Sequence, residues 1–287
     1  PAVEDAFYAS DELYTELAFD KMMAQLGTRL MLPKGQSLRD ILPAELWDRL
    51  DALLHQRGLS MASFDKFQVW GFYLILSTLD LRQAMAGGQP LDLFLYDEAI
   101  TMGMETGGLE TLEEQLSVFA DASRADQVHL IEVALAELET SAEGEATEVL
   151  IEAYLSGSEE GLATLVGESA GNDDPIQAAL MRRLLPLRNH RMADRIDTHL
   201  QDHPARRHFF AVGSAHMPGA EGVVELLRQK GYTVERIGAP SASATPDVPA
   251  LLREMEELRR AIDRLGERIE ALEQARARPR RARYQWR

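Results

Sequence analysis

Cysteine is absent from all 287 residues of the chain. Disulfide bonds, thiolate metal sites and cysteine nucleophiles are therefore excluded, and a metal ion would need His, Asp or Glu ligands. Long apolar runs are also lacking. The most apolar run, from Val69 to Leu81, is interrupted by Asp80 and is shorter than the roughly 20 residues that span a bilayer. This run is expected to form a buried helix.

Positive charge is scarce, since 30 Lys and Arg face 47 Asp and Glu and give a net charge of −17. The acidic residues are spread through helical segments, which is typical of a soluble globular protein and argues against a nucleic-acid partner. The absence of cysteine leaves the redox compartment open, because it fits either side of a membrane. The length allows one large domain or two ordinary ones with a core that needs no covalent cross-links.

Helical periodicity dominates the middle of the chain. The segment 37–58 predicts two helices, residues 91–102 predict another, and a further helix is expected to begin near Leu112. The segment 178–201 predicts a helix that is interrupted at Pro186. Between residues 102 and 112, adjacent glycines indicate a loop, flanked by Glu105 and Glu110.

The clearest α/β unit lies near the end of this region. "HFFAVG" predicts a buried strand, "GSAHMPGAEG" a turn, "EGVVELLRQKG" a helix and "YTVERI" a second strand. Near the start, "ELYTELAFD" alternates in strand fashion and places Glu16 on a short strand or at its end. The predicted fold class is α/β, with a small sheet from strands near Leu13–Phe19 and Phe209–Ile237, extensive helical insertions, and a separate C-terminal coiled-coil helix.

The C-terminal segment predicts self-association. Residues 239–249 form a Pro/Ala/Ser linker, residues 250–275 a coiled-coil helix, and residues 276–287 a basic tail. The tail is compatible with binding to an anionic membrane surface or an acidic partner. The heptad pattern favours a parallel two-stranded coil and hence a homodimer. Its a positions are Val248, Met255, Ile262 and Ile269, and its d positions are Leu251, Leu258, Leu265 and Leu272.

His216 has the most specific context of any histidine in the chain. It follows a predicted strand after a glycine and two small residues, and it precedes Pro218 and a helix. Open α/β sheets place their ligand sites at the carboxyl ends of strands, where imidazole can bind a metal or transfer a proton. A turn histidine bonded to nearby backbone has the same pattern, so the spacing leaves both interpretations open.

Four segments together resemble the TraB/GumN family, which is related to the Tiki metalloproteases and more distantly to ChaN-like proteins. "FFAVGSAHMPGAEGVVELLRQKGYTVERI" resembles the family's terminal Gly-x-x-His segment. "PAVEDAFYASDELYTELAFD" resembles its helix and strand with a glutamate at Glu16, "LETLEEQL" its central segment, and "RNHRMA" its Arg-Asn-x-x-Met-Ala helix. The resemblance defines residues 1–238 as a TraB/GumN-like domain and favours a periplasmic or membrane-associated location.

The resemblance implies a metal-dependent, peptidase-like hydrolase. Glu16 and His216 are the candidate ligands of a divalent ion, with Zn, Mn, Co and Fe all suited to such donors. The candidate catalytic residues are His216, Glu110 as a base or second ligand, and Arg188 as the group that holds a substrate carboxylate or an oxyanion. From the residues alone, Glu110 can equally be a helix N-terminal residue and Arg188 an ordinary ion-pair partner.

One departure from the family pattern bears on activity. The family has an earlier Gly-x-x-His on a strand before the segment that begins here at Pro1, and this sequence contains no copy of it. Either the first strand and its histidine are missing from this sequence, or the chain is a degenerate member. Little or no activity is expected from the polypeptide as it stands. The competing functions are a binding or regulatory protein that sequesters a peptide or haem on the same fold, and a structural adaptor that acts through its coil.

Overall fold

The computed structural model describes residues 2–19, 26–84, 89–140, 145–158, 160–164 and 173–237. The predicted linker, coiled-coil helix and basic tail at 239–287 lie outside the described residues, so the homodimer stays a prediction. The strands are β1 Glu12–Leu17, β2 Glu105–Glu110 and β3 His208–Ala211. The helices are α1 Ala2–Tyr8, α2 Leu38–Ile41, α3 Ala44–Gln56, α4 Val69–Ser77, α5 Leu79–Ala84, α6 Leu91–Met102, α7 Leu112–Ala120, α8 Arg124–Thr140, α9 Glu145–Ser156, α10 Pro175–Leu184, α11 Pro186–Asp202 and α12 Val223–Gln229, with 3₁₀ turns at Met61–Phe64 and Ser214–His216.

The strands form a parallel sheet in the order β2-β1-β3, which confirms the predicted α/β class. Glu12 of β1 is paired with both Glu105 and His208, and Leu17 is paired with Glu110. Because the strands are parallel, their carboxyl ends lie at one edge of the sheet. This carboxyl edge is where the sequence places its candidate site.

Helices cover both faces of the sheet. Leu13 packs with residues of α1 and α6 on one face, while Tyr14 packs with residues of α11 and α12 on the other. Successive strand residues point to opposite faces, so adjacent positions of β1 contribute to two different cores. The insertion between β1 and β2 forms a third core together with α8, whose fully buried members include Leu38, Leu50, Phe72, Ile131 and Leu135.

The predicted Gly-rich loop at 105–110 is wrong, because these residues form β2. The glycines serve close packing rather than a turn. A Cβ on Gly107 would lie 2.7 Å from a ring carbon of Tyr14, and one on Gly108 would lie 2.6 Å from the backbone nitrogen of Ala18. Both positions of β2 therefore exclude a side chain so that β1 can approach.

The predicted strand at "YTVERI" is also wrong, because residues 232–236 have no regular secondary structure. The polar groups of this segment have partners other than a neighbouring strand, and the Tyr232 N–H donates to the Leu227 carbonyl at 3.1 Å. The Val234 carbonyl accepts a hydrogen bond from Arg228, and the Tyr232 hydroxyl donates to Asp197 at 2.6 Å. The sheet is thus limited to β1, β2 and β3 among the described residues.

Several helix predictions are confirmed. The predicted helix that Pro186 interrupts is divided there, with α10 ending at Leu184 and α11 beginning at Pro186. The apolar run that starts at Val69 forms α4, whose residues Val69, Phe72 and Leu76 are buried in the third core. No helix in the described part of the chain is long and apolar enough to cross a membrane.

We expect Gly108→Ala to lower the free energy of unfolding by about 1–3 kcal/mol, because the added Cβ would overlap backbone atoms of β1. Urea denaturation followed by circular dichroism measures this change. Gly27→Ala is the matched control, because a Cβ there meets nothing within 4 Å. We expect the control to change stability by less than about 1 kcal/mol, in the stabilising direction. Equal effects of the two substitutions would contradict the close approach of β1 and β2.

Candidate functional site

The carboxyl edge of the sheet brings all the sequence-predicted site residues together. Glu16 is the penultimate residue of β1, Glu110 is the last residue of β2, and His216 follows β3 in the 3₁₀ turn Ser214–His216. Arg188 projects from the first turns of α11 and contacts both carboxylates. Their catalytic and ligand roles stay predictions, and their positions define one compact site.

Arg188 lies buried between the two carboxylates. Its Nη2 donates to Glu16 Oε2 at 2.6 Å, its Nε donates to Glu110 Oε2 at 2.8 Å, and its Nη1 donates to the Leu184 carbonyl at 3.2 Å. The Arg188 side chain is 5% exposed and that of Glu110 is 0% exposed. Buried charges are tolerated only when they are paired and hydrogen-bonded, and this arrangement meets both conditions.

The guanidinium of Arg188 stays charged in this environment. Burial alone lowers the pKa of Arg188, but the hydrogen bond and charge of Glu110, together with Glu16, carry that pKa above its ordinary value. A second arginine also binds Glu110, since Arg191 Nη2 donates to Glu110 Oε1 at 3.1 Å. Glu110 is therefore bound through both of its oxygens.

Glu16 is anchored through both of its oxygens. Oε1 accepts the backbone N–H of Gly213 at 2.7 Å, while Oε2 accepts from Arg188 and from Gln115 Nε2 at 3.3 Å. Burial raises the pKa of Glu16, but the Gly213 hydrogen bond and the neighbouring charges of Arg188 and His216 outweigh it and leave that pKa below its ordinary value. The group is a fixed carboxylate at neutral pH.

Gly213 follows β3 and Val212, and its surroundings leave little room for a side chain. A Cβ on Gly213 would lie 3.1 Å from Glu16 Oε1 and 3.7 Å from His216 Cδ2. A side chain at this position would crowd the carboxylate of Glu16, while its first carbon would be in ordinary contact with the His216 ring. The glycine of the Gly-x-x-His segment therefore allows the histidine and the carboxylate to approach each other.

His216 is held in one tautomer by Asn189. The ring Nδ1 lies 2.5 Å from Asn189 Oδ1, and Asn189 Nδ2 donates to the Glu221 carbonyl at 2.7 Å. Because the amide nitrogen is bound to a carbonyl, the amide oxygen faces the ring, and an oxygen only accepts. The proton is therefore on Nδ1, and the lone pair of Nε2 faces Glu16 Oε1 at 3.8 Å.

The imidazole of His216 is neutral at neutral pH. Burial lowers the pKa of His216 to about 4, against the opposing effect of the Glu16 carboxylate and with a further lowering by the Arg188 charge. A neutral imidazole with a free Nε2 lone pair can bind a metal ion or accept a proton. Both uses match the chemistry expected from the sequence.

Sequence reasoning assigned no role to Asn189, Gln115, Arg191 or Arg195. Arg195 donates to the Leu109 carbonyl at 2.6 Å and thereby supports the end of β2. The sequence does contain a pattern that points to Asn189, Arg191 and Arg195. Positions 191 and 195 lie on the same face of α11 as Arg188, and Asn189 is the next residue after Arg188. This face of α11 supports β1, β2 and the histidine turn together.

A cavity of about 450 Å³ opens beside this site. Glu16 contributes one carboxylate to its wall, and Gly213 and Ser214 contribute residues that precede His216. Its other lining includes Leu91, Asp92, Leu95, Tyr154 and Met217. The anchored carboxylate of Glu16 therefore borders a space that can take a ligand.

Glu16 and His216 fit a divalent ion in donor chemistry. Glu16 offers carboxylate oxygen, His216 offers Nε2, and the Asn189 contact to Nδ1 is the outer-shell support that metal-binding histidines usually have. Among the residues that the structure describes, however, no group of three or more His, Asp or Glu side chains is arranged to hold a metal ion. The described residues therefore supply two donors and not a complete site.

The sequence profile of the TraB/PrgY/gumN family matches residues 1–236, and the chain belongs to this family. The family resemblance in the sequence is thereby confirmed. The chain is 28% identical to "Metalloprotease TIKI1" of Danio rerio over 280 residues, which cover 82% of this chain and 57% of that protein. It is 27% identical to "Metalloprotease TIKI1" of Homo sapiens over 281 residues, covering 82% of this chain and 56% of that protein.

A third relative is "Metalloprotease TIKI2" of Danio rerio, at 27% identity over 275 residues that cover 80% of this chain and 53% of that protein. The chain thus spans little more than half the length of the curated relatives that it matches. No solved structure matches the chain.

We expect Arg188→Met to lower the free energy of unfolding by about 3–5 kcal/mol, because it leaves two carboxylates without their buried counter-charge. Arg191→Met is the matched control, since it removes a 37% exposed arginine from the same Glu110 and should cost about 1 kcal/mol or less. Urea denaturation of both variants measures the difference.

A further variant tests the cause of the loss. Adding Glu110→Gln to Arg188→Met should recover part of the stability, because one of the two carboxylates that lost Arg188 is then uncharged. If the two arginine variants lose equal stability, or if the double variant recovers none, Arg188 is not the buried counter-charge of this site.

Proposed function

We propose that this chain carries the site of a metal-dependent, peptidase-like hydrolase, of the class for which its relatives are named. The observation that supports the proposal best is the placement of His216 Nε2 opposite the anchored Glu16 carboxylate, next to a cavity at the carboxyl edge of the sheet. Histidine and carboxylate are the usual nitrogen and oxygen ligands of catalytic metal ions.

Glu16 and His216 are the proposed ligands of the metal ion. A bound divalent ion lowers the pKa of a water molecule and polarises a carbonyl oxygen, which is the chemistry that hydrolysis of an amide or ester needs. The Gly213 N–H and Arg188 orient the carboxylate of Glu16, and Asn189 orients the ring of His216. These hydrogen bonds hold the side chains of Glu16 and His216 in place, so that little rearrangement is needed when they bind a metal ion.

Glu110 and Arg188 have a different proposed role. Arg188 uses all three of its guanidinium nitrogens in contacts within the chain and is 5% exposed. Glu110 is bound by Arg188 and Arg191 and has no exposed side-chain surface. We propose that both are positioning residues for Glu16 and that neither contacts the substrate.

Glu16 and His216 are only two metal donors, and this number limits the metal affinity expected of these 287 residues. Catalytic zinc sites normally have three protein ligands, and the Gly-x-x-His that the family pattern adds has no copy in this sequence. We therefore propose that the 287-residue chain binds divalent ions weakly and has little activity. This expectation concerns the chain as given and not its relatives.

We expect His216→Ala to lower the affinity of the chain for Zn²⁺, Mn²⁺ or Co²⁺ by at least about 10-fold, because a directly binding nitrogen is lost. Asn189→Ala should lower it by about 10–100-fold, because outer-shell partners of ligating histidines have effects of this size. Equilibrium dialysis with metal analysis measures both values.

His55→Ala is the matched control, because His55 is exposed on α3, away from the carboxyl edge, and should leave the affinity unchanged. A fluorogenic peptide assay with and without chelator complements the binding data. Full metal affinity in His216→Ala, or hydrolysis that persists in excess chelator, would overturn the proposed function.

A further inference from the structure

A second cavity, of about 430 Å³, adjoins the cavity beside Glu16. Tyr154, Ser214 and Met217 line both cavities. The two spaces are therefore separated only by side chains and backbone that they share. A ligand that lies beside Glu16 can extend past Tyr154 and Met217 into the second cavity.

The walls of the second cavity are mainly apolar. They come from the end of α9 and the residues after it, the histidine turn, α12 and the segment 234–236. Tyr154 lies at the junction of the two cavities and is 53% exposed, so its ring is accessible from both. The apolar lining consists of Tyr154, Leu162, Met217, Pro218, Val224 and Val234.

Arg236 gives this apolar cavity a basic wall. Its guanidinium donates to the Gly157 carbonyl and so joins the segment 234–236 to the end of α9. Glu235 also lines the cavity, but no carboxylate of the described residues lies within 4.0 Å of the Arg236 nitrogens. Within the described part of the chain, Arg236 therefore has no carboxylate partner and keeps further N–H donors for a ligand, in a chain whose net charge is −17.

Arg228 reinforces the same wall. Its Nη2 donates to the Val234 carbonyl at 3.1 Å, and its Nη1 lies 3.6 Å from Glu225. Arg228 is thus balanced in part by Glu225, whereas Arg236 has no such partner among the residues that the structure describes. At the opposite end of the combined space, Asp92 and Glu16 make the wall acidic.

We propose that the two cavities form one substrate groove that binds an extended polypeptide segment with an apolar side chain and a nearby carboxylate. The apolar side chain occupies the second cavity between Tyr154, Met217 and Val224, and the carboxylate pairs with Arg236. This inference rests on the proposed function, because it treats the cavity beside Glu16 as the place of the reacting bond.

The geometry of an extended chain sets the spacing of the two groups. Side chains alternate between faces, so residues two positions apart point the same way and lie about 7 Å apart. An apolar residue and an acidic residue at positions i and i+2 therefore face the same wall of the groove. A groove of this kind should require both the apolar side chain and the carboxylate of the peptide, whereas a non-specific apolar surface would require only the first.

The test uses fluorescent decapeptides with a Gly/Ser host sequence and an amidated end. One carries Leu-Ser-Glu at its centre, and the matched peptides carry Ser-Ser-Glu, Leu-Ser-Lys and the reversed order Glu-Ser-Leu. Fluorescence anisotropy is measured with the 287-residue chain in excess chelator, so that no turnover occurs. We expect the better of Leu-Ser-Glu and Glu-Ser-Leu to bind at least about 10-fold more tightly than the two single replacements, since each loss removes about 1.4 kcal/mol or more.

Two variants assign this selectivity to the groove. Arg236→Glu should reverse the preference, so that the Lys peptide binds more tightly than the Glu peptide. Val224→Asp should abolish the preference for Leu over Ser while leaving the far-ultraviolet circular dichroism unchanged. Arg207→Glu is the matched charge reversal, because Arg207 is an exposed residue just before β3 at the opposite edge of the sheet, and it should leave the preference as it is.

A decapeptide that ends in Leu-Ser with a free carboxylate identifies the source of the charge. If it binds at least as tightly as the Leu-Ser-Glu peptide, Arg236 pairs with a chain terminus; if it binds more weakly, Arg236 pairs with an acidic side chain. Either result supports the groove.

Two results would overturn the groove. The first is equal binding of all peptides by the unmodified chain. The second is the same shift in Arg236→Glu and Arg207→Glu, which would show an effect of overall charge. Because binding is measured without metal, loss of peptide selectivity would count against the groove alone. Divalent-ion affinity that His216→Ala leaves unchanged would count against the proposed function alone.

Discussion

The buried guanidinium of Arg188 is the interaction on which the carboxyl edge of the sheet depends. Two neighbouring parallel strands carry carboxylates at their ends whose like charges would otherwise repel each other, and one planar cation binds both Glu16 and Glu110. With Glu16 fixed in this way, its second oxygen is free to accept the Gly213 N–H that begins the histidine turn. A chain of charge-assisted hydrogen bonds therefore links all three strands to the position of His216.

One helix, α11, positions both the carboxylate of Glu16 and the imidazole of His216. Arg188 and Asn189 are neighbours in α11, yet the first contacts Glu16 and the second contacts His216. Arg195, two turns further along, holds the end of β2 through the Leu109 carbonyl. Small shifts of α11 along the sheet would therefore alter the carboxylate and the imidazole at the same time, which explains why this helix, rather than a loop, supplies the supporting residues.

The sequence was sufficient to identify the four residues that meet at this edge, because the motifs around Glu16, Glu110, Arg188 and His216 together resemble one family. It was not sufficient for the contacts between them. The glycines of β2 are also turn formers and therefore predict a loop, and only the neighbouring Tyr14 and Ala18 show why a side chain is excluded there. The alternation in "YTVERI" matched a strand, but no local pattern reveals that side chains such as Arg228 bind its backbone instead.

The insertions between the strands also determine when the site can form. Glu16 and Arg188 are 172 positions apart in the chain, and Glu16 and Gly213 are 197 apart. Contacts of such long range cost more loop-closure entropy than local ones, which slows folding. During synthesis, β1 therefore waits with one edge unpaired until β3 has left the ribosome, while the helical core formed with α8 can fold earlier. A chain that ends before β3 lacks His216 and leaves one edge of β1 without its strand partner, and an unpaired strand edge is open to aggregation.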